Sequence, residues 1–162
     1  MTEKTKALAV RECDFLDLSK ENELLQELAQ YQARRLEAIR NFLTGEVPAG
    51  FIKHKKPRNE PYAEANYMRD QVHLVTNWGD SWQQTQLQVG KTHIHVTGEL
   101  TITWPNGQTR IYTGNAITAI KMRKDGKGAV DLGFSIKSAD SEAWKKAAAN
   151  AGFCRQLYAA KE

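Results

Sequence analysis

Residues 93–104 read "HIHVTGELTITW", a stretch along which apolar and polar side chains alternate. The apolar side chains occupy even-numbered positions, namely Ile94, Val96, Leu100, Ile102 and Trp104. A period of two predicts a β-strand with one buried face and one solvated face. The turn signals "VGKT" before it and "WPNGQ" after it predict that this strand is the middle of an antiparallel meander from about Gln83 to Gly114. The next segment, "NAITAIKM", is a candidate for one further strand.

Three helices are predicted around this meander. In residues 16–43 apolar side chains recur every three or four positions, which indicates a long amphipathic helix with Ser19 as its N-cap. This helix packs either on its own domain or against a neighbouring subunit, and the sequence leaves both open. A second helix is predicted over residues 61–77, with a proline in its first turn. A third helix is predicted over residues 138–151, with Ser138 as its N-cap and Gly152 just after its end.

These elements predict an α+β fold in which an antiparallel β-meander packs against a C-terminal helix, a β-β-β-α core with an extra N-terminal amphipathic helix. We expect two parts: an N-terminal helical arm over residues 1–50 and a main domain over residues 51–162. The charge differs between them. The arm has 7 lysines and arginines against 9 acids, whereas the main domain has 16 against 10. A net charge of +6 on the main domain indicates an anionic partner, nucleic acid first, although a solvated basic surface has the same composition.

Positive side chains concentrate in three places in the main domain. A predicted loop or linker, "FIKHKKPRNEP", contains Lys55, Lys56 and Arg58; it is expected to be solvated, and these cations are candidates for phosphate contacts. A second loop, "RKDGKGAVD", is also basic. In the last helix Ala143, Ala147 and Ala151 form a face of small side chains, and we expect the adjacent Lys145 and Lys146 to leave this buried stripe together. A solvated helix edge is the plainer interpretation of that lysine pair. Trp78, Trp82, Trp104 and Trp144 are predicted to belong to the core rather than to stack on bases.

No pattern in the chain predicts an enzyme. The phosphate-loop spacing is missing from "KDGKGAV", there is no G-x-S-x-G, and the acids are scattered. Two strand histidines, His93 and His95, share a face, but two ligands without a neighbouring acid or cysteine do not define a metal site. We therefore expect no metal and no cofactor. An enzyme would become the better interpretation only if these histidines converged with acids in a pocket.

The compartment is expected to be a cytoplasm. No window has the eighteen or more apolar residues of a membrane span, and the first eighteen residues lack the apolar core of a secretory signal. The two cysteines, Cys13 and Cys154, stand far apart in the sequence without zinc-type spacing. In a reducing compartment a disulfide between them is not expected.

From Tyr62 onward the chain resembles the single-strand annealing domain of the Rad fifty-two superfamily. Four segments carry the resemblance in order: "PYAEANYMRDQVHLVTNWGDSW", "THIHVTGELTITWPNGQTRIYTG", "DLGFSIKSADSEAWKKAAANAG" and "FCRQLY". They resemble the family's opening helix, its meander strands, its lysine-bearing helix and the tail after that helix. The first fifty residues have no counterpart. The sequence leaves three roles open for this N-terminal helical arm: it could extend a subunit interface, recruit a host single-strand-binding protein, or cover a DNA groove.

The resemblance implies ATP-independent binding and annealing of single-stranded DNA in recombination or repair, by a homo-oligomeric ring or helical filament. DNA would lie in a basic groove formed by the meander and the last helix. Lys145 and Lys146 would be the helix cations that hold the backbone, with Lys137 beside them and Arg69 as the nearest match to a cation near the first helix. Lys121, Arg123, Lys124 and Lys127 form a second set for the incoming strand or the annealed duplex. A nucleic-acid-binding module that does not anneal is the alternative.

Overall fold

The computed structural model describes residues 18–57, 59–123 and 128–158, and it has the expected α+β architecture. Its named elements are α1 (Leu18–Thr44), β1 (Ile52–Lys55), β2 (Glu60–Ala63), α2 (Ala65–Thr76), β3 (Asp80–Val89), β4 (His93–Thr103), β5 (Thr109–Ala119), α3 (Leu132–Asn150) and the short α4 (Arg155–Tyr158). The strands form a two-stranded sheet, β1-β2, and a three-stranded antiparallel sheet, β3-β4-β5. No helix among the described residues is long and apolar enough to cross a membrane.

The chain separates into two compact units, residues 1–34 and residues 35–162. The described part of the first unit is helical, and it exposes the apolar side chains of Leu24, Leu25 and Leu28. The second unit contains both sheets and helices α2, α3 and α4. Its core includes Ala38 and Val47, both of which lie within the predicted N-terminal arm.

The alternation along β4 has the predicted outcome. Ile94, Val96, Leu100 and Ile102 are completely buried and Gly98 is buried with them, whereas the odd-numbered residues between them are half-buried. The expected additional strand is wrong, because "NAITA" is the second half of β5 and continues the same pairing with β4. In this half Ala116 is buried and Ile117 is exposed, so the period of two continues unbroken through Gly114.

Helix α3 lies on the buried face of the three-stranded sheet. It packs there through Ala139, Ala143 and Ala147, all completely buried, and it comes closest to β5 at Gly114. A Cβ added at Gly114 would overlap the carbonyl oxygen of Ala143. The small side chains are therefore required by a backbone-to-backbone approach of helix and strand.

The start of α3 differs from the prediction at Ser138. The helix begins at Leu132, because Asp131 is the N-cap and its side chain accepts a 2.8 Å hydrogen bond from the amide of Phe134. Ser138 lies inside α3 and does not end it, because Asp131 already caps the first turn of the helix. The end near Gly152, which has φ +107, agrees with the predicted stop.

The predicted loop at residues 51–61 is also wrong, since most of it forms the β1-β2 hairpin. Pro61 pairs with His54 in this hairpin, and α2 consequently starts only at Ala65. Proline is tolerated here because both strands of a two-stranded sheet are edges. The hairpin places Tyr62 and Ala63 against the rest of the unit, with Ala63 completely buried.

The tryptophans do not share one environment. Trp144 is buried, and Trp82 and Trp104 are partly buried against the core as expected. The indole nitrogen of Trp82 donates a 3.0 Å hydrogen bond to Asp140, which joins β3 to α3. Trp78 contradicts the prediction, because 67% of its surface is exposed at the end of α2.

Candidate nucleic-acid interface

Lys145 is a buried residue with an ion-pair partner on its own helix. Its ammonium group donates a 2.8 Å hydrogen bond to Glu142, and it lies 5.4 Å from the ring centre of Tyr62 on β2. Only 5% of Lys145 is exposed. The expectation that both lysines leave the buried stripe together is therefore wrong for Lys145, because the β1-β2 hairpin covers that side of α3.

The carboxylate of Glu142 lies between two cations. Lys55 on β1 donates a 3.2 Å hydrogen bond to the same oxygen that accepts from Lys145. Burial by itself would raise the pKa of Glu142, but the hydrogen bonds and charges of Lys145 and Lys55 outweigh burial and hold this pKa below its ordinary value. Lys55, one of the predicted DNA contacts, thus links the hairpin to α3 through this carboxylate, whereas Lys145, another, pairs with it within the helix.

Lys146 has a different environment, on the exposed surface of α3. Consecutive residues of a helix are turned by about 100°, so the neighbour of a buried lysine faces another direction. Lys146 borders a groove at the outer edge of β5, where the side-chain amide of Asn150 donates a 3.0 Å hydrogen bond to the carbonyl oxygen of Thr113. The groove is lined by Thr113, Gly114, Asn115, Lys146, Ala149, Asn150 and Tyr158.

A second groove shares three of these residues and extends the first. Its lining comprises Phe42, Leu43, Ala149, Asn150, Ala151, Gly152, Arg155 and Tyr158. We call the two together the Lys146–Arg155 furrow. Both charged residues in its lining, Lys146 and Arg155, are exposed cations, and neither lining includes an acid. Burial raises the pKa of Tyr158 to about 12, so its hydroxyl remains neutral at physiological pH and adds no negative charge.

Arg69 and Lys137 lie away from this furrow. The guanidinium group of Arg69 stacks over the ring of Trp144, 5.2 Å from its centre, on the side of α3 that faces α2. Lys137 precedes Lys146 by nine residues, which places the two about 180° apart around the helix axis. The four cations carried over from the resemblance therefore do not form one cluster within a single chain.

The remaining predicted contacts are spread over two loops. Lys56, Lys121 and Arg123 are exposed, and the segment after β5 turns back on itself through a bridge between Met122 and Ala129. Three of the predicted cations, Arg58, Lys124 and Lys127, lie outside the described residues. The loop cations are thus accessible where they are described, and none of them is among the lining residues of the Lys146–Arg155 furrow.

The strand histidines do not form a metal site within the described part of the chain. His93 is exposed and its Nδ1 lies 2.9 Å from the hydroxyl of Thr92. No group of three or more histidines, cysteines, aspartates or glutamates in the described ranges could hold a metal ion.

Sequence reasoning did not identify Arg155 or the exposure of Trp78. Arg155 follows a left-handed Cys154, which has φ 53, so it is out of helical phase with Lys146 and no periodic pattern links the two. The one sequence feature that could have identified Arg155 is its place in "FCRQLY", a segment that carries part of the family resemblance. The exposure of Trp78 depends on the backbone after α2, where Asn77 and Trp78 both have positive φ.

A scan against protein-family models finds no match for this sequence, and a search of curated proteins finds no relative. The resemblance to the annealing family accordingly stays a prediction.

Proposed function

We propose that this protein binds single-stranded DNA along the Lys146–Arg155 furrow and anneals complementary strands without ATP, as a homo-oligomeric ring or filament. The observation that carries the proposal is the composition of the furrow: its lining has two exposed cations, otherwise uncharged residues, and no acid. Such groups bind the phosphates of a nucleic acid without distinguishing its base sequence.

Annealing requires that phosphates be held while base edges stay free to pair. Lysine and arginine side chains at the rim of a furrow suit this requirement, since they contact the backbone and not the bases. Asn150 is fixed by its hydrogen bond to β5, which keeps one side of the furrow rigid. Two cations in one chain would bind DNA weakly. In an oligomer, several such sites would bind the same strand, which raises the overall affinity.

The three-stranded sheet supports assembly of several copies. Its order, β3-β4-β5, leaves two edges, and residues 83–89 of β3 are all exposed. Unpaired strand edges are templates for pairing with another chain. A second copy adding to one of these edges would extend the sheet and place furrows of neighbouring subunits in sequence.

Three measurements on the full chain test the proposal: the mass of the particle in solution, binding of a labelled oligo(dT), and the pairing rate of two complementary oligonucleotides without nucleotide. We expect an oligomer, binding that weakens with salt, and faster pairing. Binding without faster pairing by a monomer or dimer would instead establish the non-annealing module. A protein that does not bind the oligonucleotide at low salt would contradict both.

A further inference from the structure

Trp78 is held in an exposed position by a strained backbone. Asn77, the C-cap of α2, has φ 54, which is usual for asparagine at a helix end. Trp78 follows with φ 65, a conformation that bulky side chains rarely adopt. Strain of this kind is kept where the resulting position of the side chain has a use, so the outlier calls for a functional explanation.

The indole is supported from one side by a built platform. Its ring stacks on the imidazole of His73, with ring centres 4.3 Å apart and planes 15° from parallel. His73 Nδ1 lies 2.7 Å from a carboxylate oxygen of Asp80, a side chain that is 95% buried and also accepts a 3.1 Å hydrogen bond from Thr76. The support fixes the plane of the indole while two-thirds of the Trp78 surface stays exposed.

A cation lies on the same side of α2. Arg69 precedes His73 by four residues, so the two side chains are neighbours on one helix face. Its guanidinium group stacks over Trp144, and no ion pair engages it within the described ranges. This surface therefore combines a rigid aromatic ring with an oriented cation, which are the groups that bind a base and a phosphate of a single strand.

We propose that Trp78 is a stacking platform for an unpaired nucleobase and that Arg69 contacts a phosphate of the same strand. The inference rests on the proposed function and deepens it, since it adds a base-binding site to a backbone-binding furrow. Stacking does not depend on base identity, because every base has an aromatic face. The site would hold a strand in an unpaired, extended form without selecting its sequence.

The test compares a labelled oligo(dT) with an abasic oligonucleotide of equal length, using the wild type, Trp78→Ala and Trp78→Phe. Stacking predicts that Trp78→Ala weakens oligo(dT) binding by about 5- to 150-fold, and that Trp78→Phe restores most of it. The wild type and Trp78→Ala should bind the abasic oligonucleotide with equal affinity. The salt dependence of oligo(dT) binding should also stay unchanged, because no phosphate contact is removed.

Phe134→Ala is the matched control, since Phe134 is 70% exposed near the start of α3 and should not change binding. Thermal unfolding of each variant checks that the fold is intact. Oligo(dT) binding by Trp78→Ala equal to that of the wild type would overturn the platform. If Trp78→Ala lost the same affinity for oligo(dT) and for the abasic oligonucleotide, and its particle mass were smaller, Trp78 would belong to a subunit contact and the stacking platform would be overturned. A wild type that binds neither oligonucleotide would refute the proposed function itself.

Discussion

Lys145 and Glu142 form a 2.8 Å ion pair one helical turn apart in α3, and the side chain of Lys145 is 6% exposed. Lys146, the next residue, is exposed on another side of the same helix. The adjacent lysines therefore have different tasks. Lys145 contributes to the fold, whereas Lys146 is available to a ligand.

Lys145→Ala is predicted to destabilise the protein by about 2 kcal/mol, because it removes a buried partner from the carboxylate of Glu142. Lys146→Ala should change the free energy of unfolding by less than about 0.5 kcal/mol, as expected for a surface substitution. Urea denaturation of the two variants measures both. Equal stabilities would show that the ion pair does not contribute to the fold.

The low pKa of Glu142 predicts a dependence of stability on pH. A carboxyl with a folded-state pKa below its unfolded value stabilises the protein above the unfolded value, near 4.5, and this contribution is lost as pH falls through the folded pKa. Glu142→Gln should therefore be less stable than the wild type at pH 7, with a difference that narrows below about pH 4.5. Urea denaturation at several pH values provides the test. A difference that stays constant down to acid pH would contradict the role of this carboxylate.

Gly114→Ala is predicted to destabilise the protein by about 2–3 kcal/mol or more, because the new Cβ would overlap the backbone of α3. Gly50→Ala is the control, since no heavy atom lies within 4 Å of its added Cβ and its φ is not positive. Thermal denaturation should separate the two variants clearly. If Gly114→Ala unfolded at the wild-type temperature, the close approach of β5 and α3 would be incorrect.

Loss of the furrow cations should reduce the salt dependence of DNA binding. Each phosphate contact to a single strand contributes about 0.7 to the slope of log affinity against log salt concentration, so a variant with both Lys146→Ala and Arg155→Gln should have a slope smaller by about 1.4. Lys91→Ala removes an exposed cation in the turn between β3 and β4 and is the control. An unchanged slope in the double variant would place the backbone contacts elsewhere.

The thiol of Cys154 should resist alkylation in the folded protein. Burial raises its pKa to about 12, so very little thiolate exists at pH 8. In a Cys13→Ser variant, which leaves Cys154 as the reporter, iodoacetamide should react slowly in buffer and rapidly in denaturing urea. Mass spectrometry over time follows the reaction. Fast modification of the folded variant would show that Cys154 is accessible.

Much of the secondary structure could be predicted because it depends on short-range patterns. The alternation in β4 and the periodic apolar residues of α1 locate both elements from neighbouring residues alone. The hairpin at residues 52–63 could not be predicted in the same way. Its basic composition is typical of a loop, and its strand pairing is stabilised by contacts such as that between Lys55 and Glu142, which are 87 positions apart.

The α+β class, the buried face of β4 and the positive charge of the main domain can be predicted from the amino-acid sequence, since each depends on local periodicity or composition. Three other features depend on long-range packing: Lys145 is buried while Lys146 is exposed, Arg155 lies in one furrow with Lys146, and Trp78 faces solvent. Helical spacing turns adjacent side chains apart, but it does not say which of them another element covers. The position of the β1-β2 hairpin over α3 makes that choice.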